Sequence, residues 1–188
     1  EVIILYKSEP SYLIIMERKL IIRNFGAIAS ADIALKDFNI FIGEQGAGKS
    51  TVAKLITIFE NSRDKVLKVD SDYLMTKFSE YNIISYFNPD SYISYSSEQG
   101  DITYEDGSFN FTFSYHSTSH NLYIPAERFF ISTFSRSIAT LVLSKAPIPV
   151  TLLEFASFYE KAKNLFVNYQ APIFNIIFQV REASENLV

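Results

Sequence analysis

Alternating hydrophobic and polar residues near the start of the chain predict two β-strands, at residues 17–25 and 31–35. The first of these strands ends at Gly26, which is typical of a turn. Residues 38–42 form a short, mostly apolar run that leads into a glycine, and this pattern predicts a buried strand.

The segment before these strands is harder to place from its pattern. We expect residues 1–15 to be an extra or displaced segment. The alternative is an N-terminal hairpin in which residues 2–6 pair with residues 12–15 around the turn at Pro10.

Helical periodicity begins after the three glycines at positions 43, 46 and 48. Residues 50–61 place apolar side chains on one face at a spacing of 3.6 residues. The inward positions are Val52, Leu55, Ile56 and Phe59. A second helix is predicted at residues 72–81, with Asp70 or Ser71 as its cap. Two further helices are predicted at residues 126–144 and 151–169.

An antiparallel β-meander is predicted between the second and third of these helices, over residues 92–124. Asp106-Gly107 marks a tight hairpin turn, because both residues tolerate positive backbone φ angles. The aromatic residues within 109–115 alternate with polar ones and are expected to face the core. A last strand is predicted at residues 122–125, ended by its proline.

The predicted strands and helices indicate a domain of the α/β class with α+β character, and the composition agrees with a globular protein. The 188 residues are enough for one domain, which we divide at residues 1–15, 16–63, 64–125 and 126–188. The net charge of −4 argues against general nucleic-acid binding by bulk electrostatics. Cysteine is absent and no apolar run reaches the ~20 residues of a membrane span, so we expect a cytoplasmic protein without membrane contact.

The two histidines are four residues apart, a spacing that two metal ligands can have on a helix. His116 and His120 lie, however, in a run with the composition of a loop. We therefore predict no metal site there.

Candidate chemistry is concentrated in one glycine-rich loop. Its residues are Gly43, Glu44, Gln45, Gly46, Ala47, Gly48, Lys49, Ser50 and Thr51. The loop fits the pattern G-x-x-x-x-G-K-[ST] without a mismatch, and an apolar strand precedes it while an amphipathic helix follows it. This context predicts a phosphate loop for a nucleoside triphosphate, most simply ATP with Mg²⁺.

Each position of the loop has an expected role. The three glycines let successive backbone N–H groups point at one anion, and the following helix adds its positive end. Lys49 is expected to reach the β- and γ-phosphates. Ser50 is expected to ligate magnesium through its hydroxyl, and Thr51 to lie near the α-phosphate.

Three stretches together resemble the N-terminal lobe of ABC-type ATPases of the SMC and RecF kind, and more narrowly their stand-alone bacterial relatives. These stretches are residues 20–35, residues 38–51 and the Tyr-Ile-Pro-Ala-Glu-Arg run at 123–128. The resemblance implies a P-loop NTPase fold. It also implies a homodimer that closes over ATP, with DNA or an effector protein as a further partner.

The resemblance further implies a C-terminal lobe with a signature motif and a Walker B Asp-Glu. Neither motif is recognisable in this sequence, so we expect that lobe to be missing and assign no catalytic residue. By the same resemblance, Asn24 and Phe25 are expected near the base or ribose, and Glu127 or Arg128 near magnesium or the γ-phosphate. A helix-starting acid with Arg128 as its surface partner is the alternative for the last pair.

Three functions remain open on the sequence. The first is an ATP-driven switch or motor subunit that couples dimerisation to DNA repair or anti-phage defence. The second is a non-catalytic nucleotide-binding interaction module. The third is a small-molecule kinase, against which the two strands before the loop and the meander after it argue.

Overall fold

The computed structural model describes residues 3–6, 18–62, 70–98, 100–113, 121–126, 143 and 147–169. The chain divides into two compact units, Glu1–Tyr123 and Ile124–Val188. Each unit is described by itself below.

An antiparallel five-stranded sheet forms the frame of the first unit. Its strands are β2 (Arg18–Phe25), β3 (Ile28–Leu35), β5 (Tyr92–Ser97), β6 (Gly100–Glu105) and β7 (Ser108–Phe113). They lie in the order β3-β2-β5-β6-β7. This arrangement confirms the predicted strands at 17–25 and 31–35, and it confirms the predicted meander over residues 92–113.

The pairing register explains why this sheet has one apolar face. Ile22 lies opposite Ile93, which lies opposite Tyr104, and Tyr104 lies opposite Phe109. Because cross-strand partners point to the same face, these side chains form a continuous buried row. At the hairpin turn, Asp106 and Gly107 both have positive φ angles, as the sequence predicts.

Two helices cover the core of this unit. Helix α1 (Lys49–Asn61) buries all four predicted inward residues. Helix α2 (Ser71–Glu80) inserts Leu74 and Phe78, and the Asp70 carboxylate caps it by accepting a hydrogen bond from the Tyr73 N–H. The Phe78 ring lies 5.9 Å from that of Phe25 and 4.9 Å from that of Phe87, in an aromatic cluster at the centre of the core.

A second, two-stranded sheet carries the start of the glycine-rich loop. Strand β4 (Phe38–Phe41) pairs antiparallel with β1 (Ile3–Tyr6), with Ile4 opposite Ile40. The N-terminal segment therefore pairs with β4, and the predicted partner at residues 12–15 lies outside the described residues. The prediction of a buried β4 is wrong, because Phe38 and Ile40 alternate on an exposed face.

The second unit is described mainly by one helix. Helix α3 spans Val150–Tyr169, which confirms the predicted helix at 151–169. Residues 121–125 are not a strand, so the prediction at 122–125 is wrong. Most of the predicted helix at 126–144 lies outside the described residues. In the described ranges, we find no helix with the length and apolar content that crossing a bilayer requires.

Candidate functional site

Helix α1 begins directly at the glycine-rich loop, and its first turn is open to a ligand. Gly48 is the N-cap, and no side chain in the described part of the chain caps the helix. The first turn contains no acidic residue. The first N–H groups of a helix lack intrahelical partners, and together they carry a partial positive charge. This helix end therefore presents uncapped donors to whatever lies in front of it.

Two loop glycines have backbone conformations that other residues rarely adopt. Gly46 has a φ of 84° and Gly48 a φ of 87°. At Gly48 an added Cβ would also stand 2.5 Å from Ile28 Cγ1, so both the backbone and the neighbour exclude a side chain. Gly43 differs: its φ is not positive, and an added Cβ would meet only the Ala47 Cβ at 3.8 Å. The expected role for Gly43 therefore has no support in its backbone angle.

Lys49 is the charged group of the site. Its side chain is 8% exposed, and its Nζ donates hydrogen bonds to the carbonyl oxygens of Gly43, at 2.8 Å, and Glu44, at 2.6 Å. Within the described ranges, both hydrogen bonds of this ammonium group go to backbone carbonyls. A nearly buried cation is thus held against the loop by the dipoles of these two carbonyl groups.

A cleft of about 310 Å³ lies in front of the loop. It is lined by Gly26, Ala27, Gly46, Gly48, Lys49, Ser50, Thr51 and Tyr86. Five of these residues belong to the predicted phosphate loop. Gly43, Glu44, Gln45 and Ala47 complete the loop but do not line the cleft.

Three lining residues are not among the site residues predicted from the sequence. Gly26 and Ala27 form the two-residue turn between β2 and β3, and Tyr86 ends a short 3₁₀ turn at Ile84–Tyr86. The glycine after an alternating strand indicates a turn, but nothing local indicates that this turn faces the loop. The sequence around Tyr86 does not indicate that this residue lines a cleft, because segments far apart in the chain bring it there.

The two residues expected near the base are placed differently. Phe25 is fully buried, and its ring packs edge-to-face on those of Tyr86 and Phe87. The structure therefore does not support the expected contact between the Phe25 side chain and the base or ribose, because the ring is packed in the core. Asn24 is exposed but does not line the cleft, and its carbonyl oxygen accepts hydrogen bonds from Asn88 and Ser91 at 2.6 Å.

The remaining predicted site residues lie outside the described residues. They are Glu127 and Arg128. His116 and His120, where no metal site is predicted, also lie outside the described residues. Among the residues that the structure does describe, no group of three or more His, Cys, Asp or Glu side chains is arranged to hold a metal ion.

A comparison with protein-family models assigns the chain to a family. The model of the AAA ATPase domain matches residues 16–177 of the 188, a stretch that contains the loop, the cleft and both sheets except β1. A family of this description indicates nucleotide binding and ATP hydrolysis as the class of activity. No curated protein and no solved structure matches the chain. The chain therefore belongs to the AAA ATPase domain family.

Proposed function

We propose that the chain binds ATP with Mg²⁺ in the cleft, as part of a P-loop ATPase of the SMC/RecF-like, ABC-type kind. The observation that carries the proposal is the placement of Lys49. This ammonium group is nearly buried, lines the cleft and is compensated by two backbone carbonyls.

A cation taken out of water is stabilised best by an anion that it can reach. The two carbonyl dipoles supply part of this stabilisation. A polyphosphate would stabilise the Lys49 cation more strongly, because it carries full negative charges. The uncapped first turn of α1 favours the same kind of ligand, because its N–H groups and its helix dipole attract an anion. The cation and the helix end therefore favour a phosphate group in front of Gly46 and Gly48.

The residues at the start of α1 also fit magnesium. Ser50 lines the cleft beside Lys49, and its hydroxyl makes no hydrogen bond within the described part of the chain. A free hydroxyl oxygen next to a phosphate site is a ligand of the type that Mg²⁺ accepts. Bound there, Mg²⁺ would neutralise phosphate charge, and Ser50 would supply one oxygen ligand.

The wider role rests on the resemblance of residues 20–35, 38–51 and 123–128 to SMC- and RecF-type ATPases. On that basis we include in the proposal a homodimer that closes over the nucleotide, in the cytoplasm. Its task would be to couple ATP turnover to DNA repair or anti-phage defence through DNA or an effector. The antiparallel meander β5-β6-β7 supports an ATPase of this kind over a small-molecule kinase, because those kinases alternate strands and helices.

The test compares two lysine variants in calorimetry with MgATP. Lys49→Ala removes the cation in the cleft and is expected to weaken binding by at least about tenfold, the loss typical of a charge-assisted hydrogen bond. Lys19→Ala is the matched control, since Lys19 lies exposed on β2 and away from the lining residues. Equal affinities of the parent protein and the Lys49→Ala variant would contradict the proposal.

Hydrolysis separates the ATPase from a non-catalytic binding module. Phosphate release is measured for the full-length gene product and for its Lys49→Ala variant over a range of protein concentrations. Turnover per chain that rises with protein concentration is expected for a site completed by a second copy. Tight ATP binding without any phosphate release would favour the binding module instead.

A further inference from the structure

The Tyr86 ring packs directly against the β2–β3 turn, because Gly26 has no side chain to occupy that space. A Cβ added at Gly26 would stand 2.7 Å from Tyr86 Cδ2 and 2.9 Å from Cγ. The Gly26 N–H also donates a hydrogen bond to the Tyr86 carbonyl oxygen, at 3.1 Å. The turn and the ring therefore form one unit with a defined geometry.

A second contact holds the ring from the core. The rings of Phe25 and Tyr86 pack edge-to-face, with centroids 5.7 Å apart and planes at 69°. Phe25 is fully buried, so it gives Tyr86 a rigid support. The Tyr86 side chain nevertheless stays 36% exposed, and it lines the cleft. An aromatic ring is thus held in place with part of its surface available to a ligand.

The cleft consequently has two chemically different walls. The loop and the start of α1 contribute a cation, a hydroxyl and backbone N–H groups, through Lys49, Ser50 and Gly48. The β2–β3 turn and Tyr86 contribute an apolar wall with one aromatic ring. A nucleotide has the same division, with a polyanionic end and a planar base.

We propose that Tyr86 is the residue on which the base of the bound nucleotide packs, with Gly26 as the positioning residue that keeps the ring in the cleft. This inference rests on the proposed function, because it assumes phosphates at the loop. Packing of a base on an aromatic ring tolerates every base, since every base has a π-face. The wall therefore strengthens nucleoside binding without selecting strongly among bases.

Three ligands separate the base contact from the phosphate contact in calorimetry with Mg²⁺. They are ATP, ribose 5-triphosphate and inorganic tripolyphosphate. The parent protein is expected to bind ATP about tenfold more tightly than ribose 5-triphosphate, the advantage typical of one base–ring contact. Tyr86→Ala is expected to remove this advantage and to leave the affinity for tripolyphosphate unchanged.

Matched variants show whether a change in binding results from the lost ring contact or from a loss of structure. Tyr86→Phe keeps the ring and is expected to keep the advantage of ATP. Tyr159→Ala removes a tyrosine of similar exposure, 39%, from helix α3 in the second unit, and is expected to keep it too. Gly26→Ala is expected to behave like Tyr86→Ala, because the added methyl group displaces the ring.

Fluorescence gives an independent measurement. The chain contains no tryptophan, so Tyr86→Trp introduces a single reporter at the cleft. ATP is expected to quench its emission through contact with the base, whereas tripolyphosphate is expected to leave the emission unchanged. Equal responses to both ligands would overturn the inference.

The outcomes distinguish this inference from the proposed function. If the parent protein binds none of the three ligands, the proposed function fails and the inference fails with it. If the parent protein binds ATP and tripolyphosphate but Tyr86→Ala retains the full advantage of ATP, only the base contact is overturned. A parallel loss of all three ligands in Tyr86→Ala would also overturn it, because a base contact predicts a selective loss.

Discussion

Ile28 packs so closely on Gly48 that a methyl group added at Gly48 would stand 2.5 Å from Ile28 Cγ1 and 3.0 Å from Cδ1. The first residue of β3 thus touches the residue that caps α1. This contact ties the β2–β3 hairpin to the glycine-rich loop and brings two walls of the cleft together. The position of the loop therefore depends on a core side chain from another element.

We expect Gly48→Ala to lower the free energy of unfolding by at least about 1–2 kcal/mol, the penalty for a side chain in the left-handed region. The clash with Ile28 adds to this penalty, and ATP binding is expected to fall because the loop moves. Urea denaturation and calorimetry measure the two effects. Gly43→Ala is the matched stability control, with an expected change below about 0.5 kcal/mol, because its backbone and surroundings accept a methyl group.

A double-mutant cycle isolates the contact between the two residues. Ile28→Ala alone is expected to cost about 2–5 kcal/mol, as for other buried large-to-small substitutions. Because it removes the atoms that clash with Ala at position 48, the double variant is expected to be more stable than the sum of the single effects predicts. Simple additivity would show that the two side chains do not interact.

Arg18 and Arg23 lie on the same strand but differ in the burial of their ion pairs. Arg18 Nη1 lies 3.2 Å from Glu60 Oε1, with side chains that are 17% and 4% exposed. Arg23 Nη2 lies 2.9 Å from Asp32 Oδ2, with side chains that are 36% and 51% exposed. Glu60 also accepts a hydrogen bond from the Tyr95 hydroxyl.

We expect Arg18→Met to cost about 3–5 kcal/mol of stability, since it removes the cation beside a buried carboxylate. Arg23→Met is expected to cost less than about 1 kcal/mol, as for exposed pairs. Urea unfolding of both variants provides the comparison. Arg18→Met combined with Glu60→Gln is expected to be more stable than Arg18→Met alone, and the reverse order would refute this account of the pair.

The N-terminal cap of α2 can be tested in the same way. Asp70→Ala removes the oxygen that accepts the Tyr73 N–H and is expected to cost about 0.5–2 kcal/mol. Asp70→Asn keeps an acceptor at the same position and is expected to cost much less. Thermal unfolding measures the stability of the two variants. Equal losses of stability would mean that the charge of Asp70, and not its capping hydrogen bond, stabilises the helix.

Magnesium dependence tests the expected role of Ser50. The parent protein is expected to bind ATP more tightly with Mg²⁺ than in EDTA, and Ser50→Ala is expected to reduce this difference by about tenfold, the effect of losing one contact to a charged group. Ser30→Ala, an exposed serine on β3, serves as the control. A Ser50→Ala variant with an unchanged magnesium effect would exclude this residue as the ligand.

The features that sequence predicts well here are local. The buried face of α1 follows from a spacing of 3.6 residues, and the turn at Asp106-Gly107 follows from two residues that accept positive φ angles. The glycine-rich loop is recognisable because its chemistry requires particular residue types at fixed positions. In each case the cause lies within a few residues of the effect.

The features that sequence missed depend on distant contacts. Strand β4 has the composition of a buried strand, yet one of its faces is exposed, because burial is decided by which elements pack on it. Phe25 adjoins the turn that lines the cleft, but its ring points into the core. The aromatic ring that lines the cleft is that of Tyr86. Neither outcome can be read from alternation or propensity.

The separation of the cleft walls along the chain has a consequence for biosynthesis. The β2–β3 turn and the loop leave the ribosome first, and Tyr86 follows 35 residues after Thr51, which at about 5–20 residues per second is a delay of seconds. The hydrogen bonds from Asn88 and Ser91 to Asn24 close only after that. A nascent chain that ends before Tyr86 therefore has only part of the cleft, and nucleotide bound by the complete cleft can stabilise the fold only after Tyr86 has been added.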